Sequence, residues 1–142
     1  MNISVVIPLY NEQESISELV AWIAKVMYDN NFTYEIVIVD DGSTDGSWDE
    51  IHKLTEEYGS IRAIRFRRNY GKSAALFCGF REAEGDVVFT MDADLQDPPE
   101  EIPEMYRMIT DGGYDIVSGW KKKRHDNKLT KNLPSKLYNW TA

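Results

Sequence analysis

Short apolar runs alternate along the chain with longer stretches in which apolar residues recur every three or four positions. Ile3 to Ile7 forms the first run and stops at Pro8. Ile16, Leu19, Val20, Ile23 and Met27 then recur at helical spacing. Glu35 to Val39 is the second run, and Thr44 or Asp45 stands where a cap would start a helix running to about Tyr58. Residues 60–66 alternate apolar residues with Arg, which predicts a strand at a sheet edge or with one solvated face. The pattern predicts a helix over 72–83, stopped near Gly85, and a buried strand over 86–91. Pro98 and Pro99 open a further helix, with Ile102, Met105, Tyr106 and Ile109 on one face. Gly112-Gly113 ends it, and Tyr114 to Ser118 read as a fifth strand. Strand–helix alternation with apolar strands predicts an α/β fold: a Rossmann-like, doubly wound, mostly parallel sheet with helices on both faces.

The first, second and fourth of these strands end in polar clusters. Leu9-Tyr10-Asn11-Glu12 follows the first, Asp40-Asp41 the second, and Met91-Asp92-Ala93-Asp94 the fourth. Ligands of open α/β sheets bind outside the carboxyl ends of the strands, where strand order reverses. Continued strand geometry would point Asp92 and Asp94 to one side. Paired carboxylates repel unless a cation lies between them. Mg²⁺ resolves that conflict with one or two carboxylates plus substrate phosphates, so the pattern points to a metal–diphosphate site.

Composition keeps this within the soluble globular class: 42% of residues are apolar and 28% charged, without low-complexity tracts. There is no apolar run of the roughly 18 residues that spanning a membrane needs, and the start of the chain lacks a signal-peptide pattern. The single Cys78 excludes an intrachain disulfide. These features lead us to expect a cytoplasmic protein. The net charge is −8, yet residues 121–142 carry seven Lys or Arg against one Asp. That basic segment predicts contact with a phosphate-bearing partner or the surface of an anionic membrane, and the acidic body argues against nucleic acid. Charge therefore divides the chain into a core over 1–120 and a basic segment over 121–142.

Val6-Ile7-Pro8-Leu9-Tyr10-Asn11-Glu12, Val39-Asp40-Asp41-Gly42-Ser43-Thr44-Asp45, Arg68-Asn69-Tyr70-Gly71-Lys72, Gly85-Asp86 and Met91-Asp92-Ala93-Asp94-Leu95-Gln96-Asp97-Pro98-Pro99 occur in this order. Together they resemble the family-2 glycosyltransferases, which adopt the GT-A fold. Asp92 to Gln96 with its two prolines, and Val117-Ser118-Gly119, look like the dolichyl- and polyprenyl-phosphate sugar transferases such as dolichyl-phosphate mannose synthase. The resemblance implies a UDP- or GDP-sugar donor, a Mg²⁺ or Mn²⁺ cofactor, inversion at the anomeric carbon, and a polyprenyl-phosphate or saccharide acceptor. It implies that Pro8, Tyr10, Asn11 and Glu12 line the nucleotide pocket and that Asp41, supported by Asp40, binds the base. Asp92 and Asp94 would bind metal, Ala93 would approach the nucleotide, and Gln96 would be a further metal-side ligand. Asp94 and Lys121 are the expected catalytic residues. Lys121 stands where the mannose synthases typically have Arg, so it would offer phosphate a point charge rather than a bidentate fork. Family members usually continue well past the fifth strand, which leads us to expect a fragment whose acceptor side, and any membrane helices, lie beyond Ala142.

Other classes fit less well. Gly71-Lys72-Ser73 has the Gly-Lys-Ser of a P-loop, but the P-loop's first glycine would fall at Phe66. A phosphoacceptor receiver domain carries its acidic pair after the first strand, not the second. Transfer to a saccharide hydroxyl, or nucleotide-sugar binding without turnover, stands as the alternative within the same fold.

Overall fold

The computed structural model describes residues 1–113. The fifth strand expected over 114–118, the basic segment with Lys121, and the division at residue 120 lie outside the described residues. Met1–Pro99 form one compact unit, and Glu100–Ala142 belong to a second. In the first unit β1 (Ile3–Leu9), α1 (Ile16–Asp29), β2 (Tyr34–Asp40), α2 (Ser47–Glu57), β3 (Ile61–Arg65), α3 (Lys72–Glu82) and β4 (Val87–Thr90) follow one another. Of the second unit, the described part is the helix α4 (Ile102–Thr110), entered through a single 3-10 turn over Pro99–Glu101. Pro103 sits in its first turn, where a missing N–H costs no intrahelical bond. Among the described residues no helix is long and apolar enough to cross a membrane.

The sheet is wholly parallel, in the order β3-β2-β1-β4. The crossovers through α1 and α2 step in one direction, and the crossover through α3 returns past β2 and β1 to the far side. Right-handed connections therefore set α1 and α2 on one face and α3 on the other. Accordingly α1 meets α2, and α3 packs on β1 and β2. Under α3, Val6, Val37, Val39 and Ala75 form a buried cluster joined by Ile64, Leu76, Phe80 and Val88. Residues of opposite parity, Val5, Ile7, Ile36 and Ile38, are also fully buried. Both faces are covered, which is why β1 and β2 are largely apolar, with the polar Ser4, Glu35 and Asp40 near their ends. Gly79 sets the closeness of α3: a Cβ there would fall 2.4 Å from Val6 Cγ1.

At the amino edge of the sheet the α3 face carries a polar network instead of apolar packing. Glu35 is 4% exposed. Its carboxylate accepts hydrogen bonds from Ser4 Oγ (2.6 Å), the Glu84 N–H (2.6 Å), and Arg62 Nη2 (2.9 Å) and Nε (3.1 Å). Ser4 Oγ in turn accepts the Gly85 N–H at 2.7 Å, so the turn into β4 is tied to β1 and β2. Burial alone would raise the Glu35 carboxyl. The hydrogen bonds from Ser4, Glu84 and Arg62, with the charge of Arg62, outweigh it and hold the group below its ordinary value of 4.5. The ion's contribution is then fully present above that value and is lost as pH falls through the lower, folded one.

Glu35→Ala would strip four donor groups on three residues of their shared acceptor, and urea unfolding should report a loss of about 2–4 kcal/mol. The stability gap between wild type and Glu35→Gln should shrink as pH drops below 4.5. A gap that is constant down to pH 3 would contradict the ionised network.

Candidate functional site

Reversal of strand order leaves a crevice between the carboxyl ends of β1 and β4. The register of β4 on β1 ends at Val6↔Thr90, whereas β1 continues beside β2 to Leu9↔Asp40. Val6 O accepts the Met91 N–H, and Leu9 O accepts the Asp41 N–H. By this alternation Pro8 turns its nitrogen toward the β4 side, one step beyond the last pairing. A proline is tolerated inside this central strand because no ladder bond is lost there.

A cavity of about 200 Å³ opens at this point. Pro8, Leu9, Tyr10 and Glu12 line it from the end of β1, and Asp41 from the end of β2. Lys72 lines it from the start of α3, and Asp92, Ala93 and Asp94 from beyond β4. Helices of a parallel sheet run antiparallel to its strands, so the first residue of α3 arrives at the strands' carboxyl edge. Seven of the expected site residues therefore converge. Leu9 and Lys72 join them unforeseen. Lys72 figures in the sequence as the end of the Arg68–Lys72 motif and in a failed P-loop, without a site role of its own; its place as the first residue after the third strand's loop was the available signal.

Three expected residues do not line the cavity: Asn11, Asp40 and Gln96. Asn11 is a staple between two loops. With φ of 52° it turns the chain, its Oδ1 accepts the Thr44 (2.8 Å) and Asp45 (3.2 Å) N–H groups, and its own N–H donates to Ser43 Oγ at 2.8 Å. Asp40 is fully buried; Oδ1 accepts the Ser43 N–H at 2.9 Å, and Oδ2 has no hydrogen-bond partner among the described residues. It shapes the loop from below. Gln96 is exposed, and only its backbone reaches back, donating to Asp94 Oδ1 at 3.2 Å.

Asp41, 4% exposed, holds the lead-in to α3. Its Oδ1 accepts the Tyr70 N–H at 2.7 Å and its Oδ2 the Gly71 N–H at 3.1 Å, and Asn69 Nδ2 donates to Oδ2 at 3.2 Å. The next residue must be glycine: Gly42 has φ of 75°, and a Cβ there would lie 2.2 Å from the Arg68 carbonyl carbon. The loops after β2 and β3 thus touch backbone to backbone, and that contact aims Lys72 at the cavity.

Asp92 and Asp94 do not reach one side by strand alternation. β4 ends at Thr90, and the chain enters a turn in which Leu95 takes φ of 66°. The turn returns the Gln96 N–H to Asp94 and brings the Asp92 N–H 3.3 Å from Asp97 Oδ2. Ser15 Oγ ties it to the start of α1 by donating to Ala93 O at 2.6 Å. Lys72 Nζ lies 2.7 Å from Asp92 Oδ1. Among the described residues no group of three or more His, Cys, Asp or Glu is arranged to hold a metal. Two carboxylates at an open cavity fit a hard divalent ion that completes its shell with diphosphate oxygens, and not an all-protein cage. Asp92 already attracts a cation, the Lys72 ammonium.

Known proteins share both the sequence and this architecture. The model of Glycosyl transferase family 2 matches residues 4–141. An undecaprenyl-phosphate 4-deoxy-4-formamido-L-arabinose transferase of Pseudomonas fluorescens is 44% identical over 138 residues, covering 96% of this chain and 40% of the relative. The Serratia proteamaculans protein of the same name is 43% identical over 131 residues, covering 92% and 40%. This chain thus spans 40% of the length of these relatives. Among solved structures, the mannosyltransferase PcManGT of Pyrobaculum calidifontis in complex with GDP-Man and Mn²⁺ superposes with a TM-score of 0.68 at 26% identity, covering 82% of this chain and 34% of that one. Staphylococcus aureus TarS in complex with UDP-GlcNAc superposes with a TM-score of 0.70 at 26% identity, covering 83% and 34%. The doubly wound sheet is therefore that of the GT-A glycosyltransferases, and the chain belongs to glycosyl transferase family 2.

Proposed function

We propose that this chain carries the donor-binding half of an enzyme that transfers a sugar from a UDP- or GDP-sugar to a polyprenyl phosphate, with inversion at the anomeric carbon. The observation that carries this reading is the meeting of Asp41, Lys72, Asp92 and Asp94 around one cavity at the strand-order reversal. The relatives named as undecaprenyl-phosphate transferases support the acceptor class. A lipid acceptor would put the reaction at a membrane surface, on its cytoplasmic side, with the basic segment from Lys121 toward the acceptor phosphate.

In this reading the acceptor oxygen attacks the anomeric carbon, the bond from that carbon to the diphosphate breaks, and its electron pair leaves on the diphosphate. Pro8 and Tyr10 flank the nucleoside, and Asp41 offers an acceptor to a base N–H while its other contacts hold the loop. Asp92 and Asp94 would hold Mg²⁺ or Mn²⁺, which when bound neutralises charge on the leaving diphosphate. Lys72 is free to exchange Asp92 for a phosphate oxygen, because its side chain is 60% exposed and its stem flexible. A phosphate acceptor is largely dianionic at neutral pH, so it attacks without a protein base. A sugar hydroxyl would instead need a carboxylate base.

Calorimetry with UDP and GDP should find one of them binding much more tightly with Mn²⁺ than with EDTA, and Asp94→Asn should abolish most of that difference. Equal affinity in wild type with and without metal would remove the metal assignment.

Lys72→Met should weaken binding of the preferred nucleoside diphosphate by about tenfold, the value of a hydrogen bond to a charged group. Binding of the unphosphorylated nucleoside should stay unchanged. Equal losses for both ligands would mean that Lys72 supports the fold and not the phosphates.

A further inference from the structure

A second cavity, of about 260 Å³, lies at the carboxyl edge between β2 and β3 and shares no lining residue with the donor cavity. Gly42 and Ser43 line it on one side, and Arg65, Phe66 and Arg67 on the other. Arg65 and Arg67 are both exposed, and neither forms an ion pair with a carboxylate among the described residues. That is unusual company in a chain with 24 acidic and 16 basic residues. By contrast, Arg62 on the same strand is paired with Glu35 and Glu82. Arg65 is held in place, its guanidinium carbon 5.2 Å from the centre of the Trp48 ring. Ser43 Oγ accepts the Asn11 N–H, which leaves its hydroxyl proton to donate. Charges on an edge strand discourage strand addition. That accounts for Arg65, the last residue of β3, but not for Arg67, which lies beyond the strand.

We propose that this cavity is a phosphate-binding site separate from the donor cavity, with Arg65 and Arg67 gripping the oxyanion and Ser43 donating to it. Guanidinium groups match phosphate oxygens in a planar fork, and two of them beside a hydroxyl donor suit a phosphate or diphosphate better than a carboxylate side chain. The occupant is either a soluble phosphate compound or a lipid headgroup. The site adds an anion contact on the α2 side of the sheet, opposite the face on which Lys72 serves the donor.

The test is an amide NMR titration of the chain with inorganic phosphate and inorganic diphosphate in EDTA, joined to sedimentation with phosphatidylglycerol or phosphatidylcholine vesicles. Saturable shifts should centre on Gly42, Ser43, Phe66 and Arg67. Asp94→Asn should leave them intact, and R65Q/R67Q should weaken binding by about tenfold or more. Arg67→Gln alone, outside the strand, should give part of that loss with the fold undisturbed. Arg-dependent binding of the soluble anions without Arg-dependent vesicle binding identifies a soluble ligand. Phosphatidylglycerol binding that falls in R65Q/R67Q and is displaced by diphosphate identifies a headgroup. Shifts that centre on Lys72 and Asp92, or binding by either probe that is unchanged in R65Q/R67Q, would overturn the proposal.

Discussion

The reversal of strand order at β1 is the constraint on which the site depends. Because β2 and β4 flank β1 from crossovers of opposite direction, the loops at their carboxyl ends diverge and cannot cover the strand between them. The crevice is therefore a product of topology, present whatever residues line it. What the sequence adds is charge. Glu12, Asp41, Asp92 and Asp94 all line one opening, with Lys72 as the single lining cation among the described residues. Like charges gathered at one opening favour a cation between them, and Lys72 supplies one beside Asp92.

The two edges of the sheet treat buried acids in opposite ways. At the amino edge Glu35 spends its acceptor capacity on Ser4, Glu84 and Arg62, all from the protein itself. Nothing there is left for a ligand, and the network acts as a clamp under the end of α3. At the carboxyl edge, acceptors are left available. Among the described residues the Asp92 carboxylate meets only the exposed Lys72 ammonium, and Asp94 is exposed. Asp41 is intermediate, fastening the α3 lead-in while still lining the cavity. Stability is concentrated where the chain is self-satisfied, and binding where it is not.

Most of the sheet and much of the cavity were legible in the sequence for a physical reason. Parallel strands covered on both faces are largely apolar, as are Ile3–Ile7 (interrupted only by Ser4), Ile36–Val39 and Val87–Phe89. Polar residues directly after such runs must lie at one edge, which brought Pro8, Tyr10, Glu12, Asp41, Asp92, Ala93 and Asp94 together. The departures come from side chains that serve the backbone. Asn11 reads as a pocket residue, but a left-handed turn commits its amide to the loop after β2. Asp45 reads as a cap; it does accept the Ser47 N–H, at 2.8 Å, but α2 starts only at Ser47. Asp92 and Asp94 read as strand residues, whereas β4 stops at Thr90 and a turn at Leu95 does the work assigned to strand alternation. Lys72 follows no acidic or apolar pattern, and its only signal is its place at the start of α3, which a parallel sheet sets at the carboxyl edge.

Paramagnetic broadening tests the central claim most directly, because Mn²⁺ marks its own surroundings. With the preferred nucleoside diphosphate bound, a sub-stoichiometric amount of Mn²⁺ should broaden the amides of Asp92, Ala93, Asp94 and Lys72 first. Those of Glu35 and Ser4, at the opposite edge, should stay sharp. Broadening that spreads evenly over the acidic surface, or that centres away from Asp92 and Asp94, would contradict a metal–diphosphate site at the strand-order reversal.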